Sequence, residues 1–372
     1  MNNFDVAVIG GGPAGTSLAI SLEQKGLKVL VAERSGYQGW RAGEILSPKA
    51  IIPLSKLEIM DALKSTPHIA SQAIHALWGS SEPVQNHFIL NPYGTGWHLD
   101  RRKFDSALAS AAEDLGATIM RGYRYISARR SGRWKVTLRN ASCTLNIEAK
   151  LLVDATGRLC QVARGRGARA IYYDQLIALV GIITPESLEE SIEYVLTLEA
   201  MENGWWYMVP LPSGKVVAVF MTDRDVFVNS HVDPTAYWLN MTRQSPMLSK
   251  LLERYHLENN VMIRNAGTFC LDRMAGPGWL AIGDAACTFD PLAGNGILKA
   301  IQSGIDSSLA ILRSDLDDDH NRFADYVQSV KSRFNNYLIQ RCRNYQTEKR
   351  WPQSPFWHRR QDLHYINTKY NH

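Results

Sequence analysis

Three glycines near the start of the chain have the spacing of a dinucleotide-binding turn. Gly10, Gly12 and Gly15 follow an apolar run that ends at Ile9, and Glu33 comes 18 residues after the last glycine. Glycines at these positions allow a tight turn and let the backbone approach a pyrophosphate, while the helix N-terminus that follows attracts its charge. An acidic side chain at the position of Glu33 can accept hydrogen bonds from ribose hydroxyls. The pattern predicts a site for an ADP-containing cofactor, without distinguishing NAD from FAD.

A second glycine-rich segment lies late in the chain. Residues 280–286 (LAIGDAA) are followed by 290–296 (DPLAGNG), and together they resemble the second flavin motif of the single-component aromatic hydroxylases. In that family the aspartate of the motif, here Asp284, hydrogen-bonds the ribityl chain of FAD. The glycine loop, here Gly294 to Gly296, begins a helix whose N-terminus faces the pyrimidine edge of the flavin and stabilises negative charge there.

Two further segments resemble the same family. Arg101 occupies the position at which an arginine begins a helix and reaches the FAD phosphates, and residues 151–158 (LLVDATGR) resemble the strand and turn behind the cofactor. The resemblance implies an FAD enzyme of α/β class, with a Rossmann-like FAD-binding domain, an inserted antiparallel-sheet substrate domain and a C-terminal helical segment. The fingerprint and the resemblance together predict these cofactor-binding residues: Gly10, Gly12, Pro13, Ala14, Gly15, Glu33, Arg34, Arg41, Arg101, Gly283, Asp284, Pro291, Gly294, Asn295 and Gly296.

Residues 41–48 (RAGEILSP) resemble the flavin-adjacent strap of the branch that includes the tryptophan halogenases. Those enzymes also carry a Trp-x-Trp-x-Ile-Pro segment and, after the strap, a lysine that handles hypohalous acid. In this chain the comparable segment is 205–210 (WWYMVP), where Tyr207 replaces the second tryptophan, and no lysine occurs between Lys64 and Lys103. Without an amine there to hold an electrophilic halogen, we expect oxygen chemistry rather than halogenation.

Oxygen chemistry by a flavin requires dioxygen, an electron donor and a dry pocket for the ring that is attacked. No second glycine fingerprint marks an NAD(P)H domain, so we expect an external donor, either NAD(P)H or a reductase. Trp205 and Tyr207 occupy alternate positions of a predicted strand and so point to one face, where they either line the substrate pocket or fill the core. No residue is assigned as a catalytic acid or base, and no His/Asp/Glu cluster indicates a metal.

The chain ends in a basic, aromatic segment. Between Lys331 and Arg360 there are eight Lys or Arg residues and one acid, Glu348, and this excess accounts for the formal net charge of +5. A solvated helix face is the simplest interpretation, although the aromatic and guanidinium groups of 348–360 also suit a protein interface. With the strap and the short length, this segment resembles the maturation flavoproteins of quinone-cofactor enzymes such as lysine and glycine oxidases. That resemblance implies hydroxylation of a tryptophan in a precursor protein during tryptophylquinone formation.

The elements that must position these motifs alternate in type along the chain. Strands are predicted over 5–9, 28–32, 151–155 and 279–282, and antiparallel strands over 192–198, 205–211 and 215–221. Helices are predicted over 14–25, over 102–115 and from Ile297 onward, and a C-terminal amphipathic helix follows from apolar spacing over 323–338. We expect an FAD-binding domain made of residues 1–70, 98–165 and 267–312. A substrate domain is expected over 71–97 and 166–266, and a C-terminal tail over 313–372.

Composition sets the outer bounds on function. A chain of 372 residues, 45% hydrophobic, has material for about two domains. Five scattered cysteines, an odd number without a Cys-x-x-Cys pair, argue against a disulfide framework or a zinc site. The modest charge does not imply nucleic acid, no apolar stretch suits a membrane span, and we expect a cytoplasmic protein. Hydroxylation of a small aromatic metabolite, reduction of an unsaturated lipid and a pure binding role remain alternatives.

Overall fold

The computed structural model describes residues 3–64, 66, 68–186, 193–249, 251–313 and 323–362. Residue 192 of one predicted strand, and 314–322 and 363–372 of the predicted tail, lie outside the described residues. The strands are β1 (Asn3–Ile9), β2 (Val29–Glu33), β3 (Ile45–Leu46), β4 (Ile69–Ser71), β5 (Ala73–Leu77), β6 (Val84–His87), β7 (Gly96–His98), β8 (Thr118–Arg121), β9 (Arg124–Ser131), β10 (Arg133–Arg139), β11 (Thr144–Asp154), β12 (Ala170–Tyr172), β13 (Leu176–Pro185), β14 (Val195–Met201), β15 (Gly204–Pro210), β16 (Val216–Asp223), β17 (Tyr255–Leu257), β18 (Met262–Asn265), β19 (Phe269–Leu271), β20 (Ala275–Gly276), β21 (Trp279–Ala281) and β22 (Cys287–Thr288). The helices are α1 (Pro13–Glu23), α2 (Ile51–Lys56), α3 (Met60–Lys64), α4 (Arg101–Asp114), α5 (Gln161–Gly165), α6 (Arg224–Val228), α7 (Pro234–Gln244), α8 (Gly296–Leu312), α9 (Ala324–Gln346) and α10 (Pro355–Gln361).

The first sheet is the parallel layer predicted from the N-terminal motif. Strands β21, β11, β1, β2 and β8 lie side by side in that order and run parallel, and Val8 is in register with Val31 on one side and Val153 on the other. Strands β1 and β2 at the centre of this layer are apolar and largely buried, because α1 and its neighbours cover them. Strands β9 and β10 form a hairpin that we did not predict, and β10 pairs antiparallel with the first half of β11. The α/β, Rossmann-like prediction is confirmed.

The second sheet has a different architecture. Its strands lie in the order β17, β13, β16, β15, β14, β5 and β6, with β18 also paired to β13, and all neighbours are antiparallel except β14 and β5. The predicted strands 205–211 and 215–221 correspond to β15 and β16, and 192–198 overlaps β14. One face of this sheet is packed by Trp206, Phe220 and Trp238, and the opposite face is turned toward the first sheet's glycine loops.

Helices α1 and α8 bring the two glycine-rich motifs together. The two helices approach closely at Gly304 of α8, where a Cβ atom would lie 2.5 Å from the carbonyl oxygen of Ala14. A side chain there would push the helices apart, so glycine is required by the packing. The N-terminal residues of both helices, Ala14 and Ile297, reach the same cavity. Two segments separated by about 280 residues therefore meet at one edge of the parallel sheet.

The C-terminal segment is only in part the solvated helix face that its charges indicate, since Lys331, Arg333, Arg343 and Lys349 are exposed but two arginines are not. Arg341 on α9 and Arg360 on α10 are almost completely buried, and so are Phe356 and Trp357. Each buried guanidinium is paired with buried carboxylates, Arg341 with Asp174 and Asp290 and Arg360 with Asp223. A buried charge requires such a partner, which the count of charges along the sequence does not reveal. The segment packs against the second sheet. Separately, none of the described helices is long and apolar enough to cross a membrane.

Candidate functional site

The first glycine turn is built by close backbone contacts. Gly10 has a φ of +113°, and a Cβ on it would lie 2.1 Å from the carbonyl oxygen of Ala155; a Cβ on Gly15 would lie 2.0 Å from the carbonyl oxygen of Gly10. Gly12, in contrast, has nothing within 4 Å of the position of its absent Cβ. Because α1 begins at Pro13 without a side-chain cap, the backbone N–H groups of its first turn remain for an anion in that open space.

Glu33 stands at the end of β2, beside this turn. Its Oε2 accepts a hydrogen bond from the Gly11 N–H at 2.8 Å, and its Oε1 accepts from the guanidinium of Arg41 at 2.8 Å. Arg41 also binds Asp105, which pairs with Arg101 at the start of α4. Arg101 reaches the cavity next to Gly43, whereas Arg34 is exposed and does not line it. The strap is thus tied by ion pairs to both the ribose position and the predicted phosphate-binding arginine.

The second glycine loop follows a short turn that begins at Asp290. The Asp290 Oδ1 accepts from the Leu292 N–H at 3.0 Å, capping the turn Pro291–Ala293, and Gly294 then takes a φ of +60° before α8 begins at Gly296. A left-handed residue favours glycine, which explains its place in this loop. The loop therefore owes its shape to one capping carboxylate and one glycine.

Side chains of helix α9 form hydrogen bonds to the capping carboxylate of Asp290. The Asp290 Oδ2 accepts hydrogen bonds from the Tyr345 hydroxyl at 2.8 Å and from Arg341 Nε at 3.2 Å. The hydroxyl of Tyr345 in turn accepts from the indole N–H of Trp205 at 3.0 Å. A buried network therefore connects α9 with the glycine loop and with β15.

One cavity of about 350 Å³ joins the two motifs to the second sheet. It contains eleven of the predicted site residues: Gly12, Pro13, Ala14, Arg101, Asp284, Pro291, Gly294, Asn295, Gly296, Trp205 and Tyr207. Gly10 and Gly15 lie behind the turn, and Gly283 lines a neighbouring cavity. Burial raises the pKa of Asp284, while Arg158, Arg101 and Lys299 act to lower it. The arrangement suits an elongated, negatively charged cofactor with an aromatic ring beside it.

Lys299 and Glu44 are among the cavity residues that sequence reasoning did not single out. Lys299 lies on the first turn of α8 with its Nζ 3.7 Å from the centroid of the Phe289 ring, and burial lowers its pKa to about 8 against the influence of Asp284 and Asp290. Glu44 lies in the strap and is buried. Both are ionisable residues within otherwise apolar or glycine-rich runs, and this contrast is the sequence feature that could have indicated a site.

Comparison with known proteins agrees with this geometry. Residues 3–311 match the family described as FAD binding domain. The chain is 27% identical to LodB of Marinomonas mediterranea, whose name describes an FAD-dependent oxidoreductase, over 366 residues that cover 97% of each chain. The prediction that the chain is an FAD-dependent enzyme is thereby confirmed.

Solved structures share the fold. The myxobacterial chondrochloren halogenase CndH is similar with a TM-score of 0.82 and 23% identity, over 99% of this chain and 87% of that one. The peptidyl tryptophan dihydroxylase QhpG, described as essential for tryptophylquinone cofactor biogenesis, is similar with a TM-score of 0.77 and 22% identity, over 97% and 79%. These two likenesses establish the fold alone. By the match over residues 3–311, the chain belongs to the FAD binding domain family and is an FAD-dependent oxidoreductase.

Proposed function

We propose that this enzyme is a monooxygenase that hydroxylates a tryptophan side chain of a precursor protein during maturation of a tryptophylquinone cofactor. FAD would lie with its ADP half on Gly10 to Gly15 and Glu33. Its ribityl chain would lie near Asp284 and its ring beside the loop that ends at Gly296. The six-part domain division belongs to this proposal, because it assigns the FAD site to the first sheet and the substrate site to the second.

The cavity wall carries the proposal. Trp205 and Tyr207 of β15, with apolar side chains of β13, β14 and β16, face the flavin motifs across the cavity. Aromatic and aliphatic groups of this kind hold a flat ring and exclude water. The fold shared with the peptidyl tryptophan dihydroxylase QhpG supports tryptophan as the ring, and the similarity to LodB over 97% of each chain supports an FAD-dependent oxidoreductase.

The proposed hydroxylation consumes one molecule of dioxygen. One atom of dioxygen replaces hydrogen on a ring carbon as a hydroxyl group, the other leaves as water, and an external donor supplies two electrons, with two protons. Reduced FAD supplies the activation of oxygen. The chain's own contribution is to orient the ring against the wall that contains Tyr207 and to keep the cavity dry.

The direct test uses purified holoenzyme, an electron donor, ¹⁸O-labelled dioxygen and a candidate quinoprotein precursor. We expect a tryptophan-containing peptide of the precursor to gain labelled oxygen, as detected by mass spectrometry after digestion. Oxygen incorporation into free phenols or indoles, with none into the precursor, would instead establish a small-molecule hydroxylase.

A protein substrate needs a docking surface, and the buried Phe356 and Trp357 of the tail are not available for it. Strand β6 is the last strand of the second sheet, and all four of its residues are exposed. Immediately after it, Ile89 and Leu90 expose 88% and 91% of their surface. The register continues from cavity to edge, since Tyr207 pairs with Leu198, which pairs with Ala76. An extended segment of the precursor would add to this unpaired edge, with the aliphatic side chains as anchors.

Replacing Leu90 by aspartate is expected to raise the KM for the precursor about tenfold, because an exposed apolar anchor becomes charged. Turnover of N-acetyl-tryptophanamide, which needs only the cavity, should not change. Steady-state kinetics with both substrates measure the difference. Leu309→Asp, at an exposed leucine of α8, is the control and should leave both values unaltered; an equal loss on both substrates by Leu90→Asp would exclude docking at β6.

Halogenation is a second candidate because Lys299 places an amine in the cavity, although on α8 rather than after the strap. With its pKa lowered to about 8, a substantial fraction of this amine is neutral just above neutral pH and could carry an electrophilic halogen. Under the hydroxylation that we propose, bromide does not alter the product, and Lys299→Met still yields hydroxytryptophan. A brominated product that appears with bromide and disappears in Lys299→Met would establish the halogenase instead; mass spectrometry distinguishes the two.

A further inference from the structure

Glu44 is a buried carboxyl group whose hydrogen bonds are incomplete. The residue is 3% exposed, and its Oε2 accepts from the Gly43 N–H at 3.1 Å. Its Oε1 is buried and has no hydrogen-bond partner. Leaving such an oxygen unpaired is costly, since a buried acceptor loses its water without replacement. An unsatisfied carboxylate oxygen in a cavity wall is therefore a place where a ligand's donor is favoured.

The position of Glu44 relates it to the substrate side of the cavity. Burial raises the pKa of Glu44, and the backbone N–H groups of Glu44 and Gly43 and the guanidinium of Arg101 oppose that effect. Burial also raises the pKa of the Tyr207 hydroxyl, and the charge of Glu44 raises it further. The charge of Glu44 therefore acts on Tyr207, in the aromatic wall that the second sheet contributes to the cavity.

The other two acids of the cavity differ from Glu44: Asp290 is engaged by hydrogen bonds, and Asp284 is expected to serve the cofactor. Three carboxylates line the cavity among the described residues, namely Glu44, Asp284 and Asp290. Asp290 accepts from Arg341, Tyr345 and the backbone of the glycine loop. Asp284 belongs to the second flavin motif, and Arg158 and Arg101 act on it. Of these three, Glu44 is the one that has a buried oxygen without a hydrogen-bond partner among the described residues.

We propose that Glu44 accepts a hydrogen bond from the ring N–H of an indole substrate and thereby selects indoles over rings without that donor. This inference rests on the proposed function and adds the residue that recognises its substrate. An indole nitrogen is only a donor, so a tryptophan ring in an apolar cavity requires an acceptor. A carboxylate partner also increases the electron density of the ring, which favours attack on electrophilic oxygen.

The test measures binding to the oxidised holoenzyme through the perturbation of the FAD absorbance spectrum, without turnover. The ligands are N-acetyl-tryptophanamide and its benzothienyl analogue, in which sulfur replaces the ring N–H at nearly the same size. We expect the wild type to prefer the indole by about tenfold or more, as a hydrogen bond to a charged group implies. Glu44→Leu should bind both ligands equally, and Glu44→Gln should retain an intermediate preference.

Several outcomes separate this inference from the proposed function. A wild-type enzyme that binds both ligands equally well, or a Glu44→Leu variant that keeps the preference, overturns the role of Glu44 while leaving an aromatic substrate site intact. If neither ligand perturbs the flavin at millimolar concentration, recognition of an indole ring by Glu44 is overturned, whereas ¹⁸O incorporation into the precursor still decides the proposed function. The ratio of FAD to protein and the unfolding temperature of each variant report folding, and Glu44→Gln decides the question if Glu44→Leu does not fold.

Discussion

Replacement of Arg341 by methionine is expected to lower the free energy of unfolding by about 3–5 kcal/mol, because it leaves two buried carboxylates without their cation. Arg341 lies 3.0 Å from Asp174 and 3.2 Å from Asp290, with 2% of its side chain exposed. Burial alone would lower the pKa of Arg341, but Asp174 and Asp290 hold it above its usual value. Chemical denaturation of the apoprotein measures the change, and FAD retention should fall with it because Asp290 caps the glycine loop.

Two variants sharpen this experiment. Arg343→Met, at an exposed arginine of the same helix, should change stability by less than about 0.5 kcal/mol. Adding Asp174→Asn and Asp290→Asn to Arg341→Met should recover part of the loss, since no unpaired charge then remains. If Arg341→Met proves no less stable than Arg343→Met, the buried network does not stabilise the tail.

Alanine at Gly12 is expected to weaken FAD binding by about tenfold or more while the apoprotein stays folded. The apoprotein has open space at this Cβ position, so the methyl group meets only the cofactor. Stability should change by less than about 1 kcal/mol, the usual cost of alanine at a helix N-cap. Fluorescence titration with FAD and thermal unfolding of the apoprotein provide the two measurements.

Gly15→Ala is the matched comparison for this second prediction. Its Cβ would lie 2.0 Å from the carbonyl oxygen of Gly10, so the fold itself should lose about 3 kcal/mol or more. The two glycines of one motif are thus expected to differ in kind, one reserved for the cofactor and the other for packing. Equal losses of apoprotein stability in the two variants would show that Gly12, like Gly15, is required by packing and not by the cofactor.

The parts of the site that sequence could predict are those encoded by neighbouring residues. The turn from Gly10 to Gly15 and the loop from Asp290 to Gly296 each contain their own conformational requirements, and both lie where the prediction placed their elements. The burial of Arg341 could not be predicted, because its partners Asp174 and Asp290 are distant in sequence. Likewise Glu44 becomes a candidate only when an unpartnered oxygen is seen in a cavity wall. The domain boundaries stay a prediction.

The buttressing of Asp290 by α9 bears on the order in which the enzyme matures during synthesis. The ADP-binding turn is synthesised before the flavin loop, and the flavin loop before Arg341 and Tyr345, so the growing chain has its dinucleotide turn long before its flavin loop is secured. Premature termination upstream of Arg341 would leave Asp290 without its partners. Secure flavin retention is therefore expected only after α9 has been synthesised and has packed against the flavin loop.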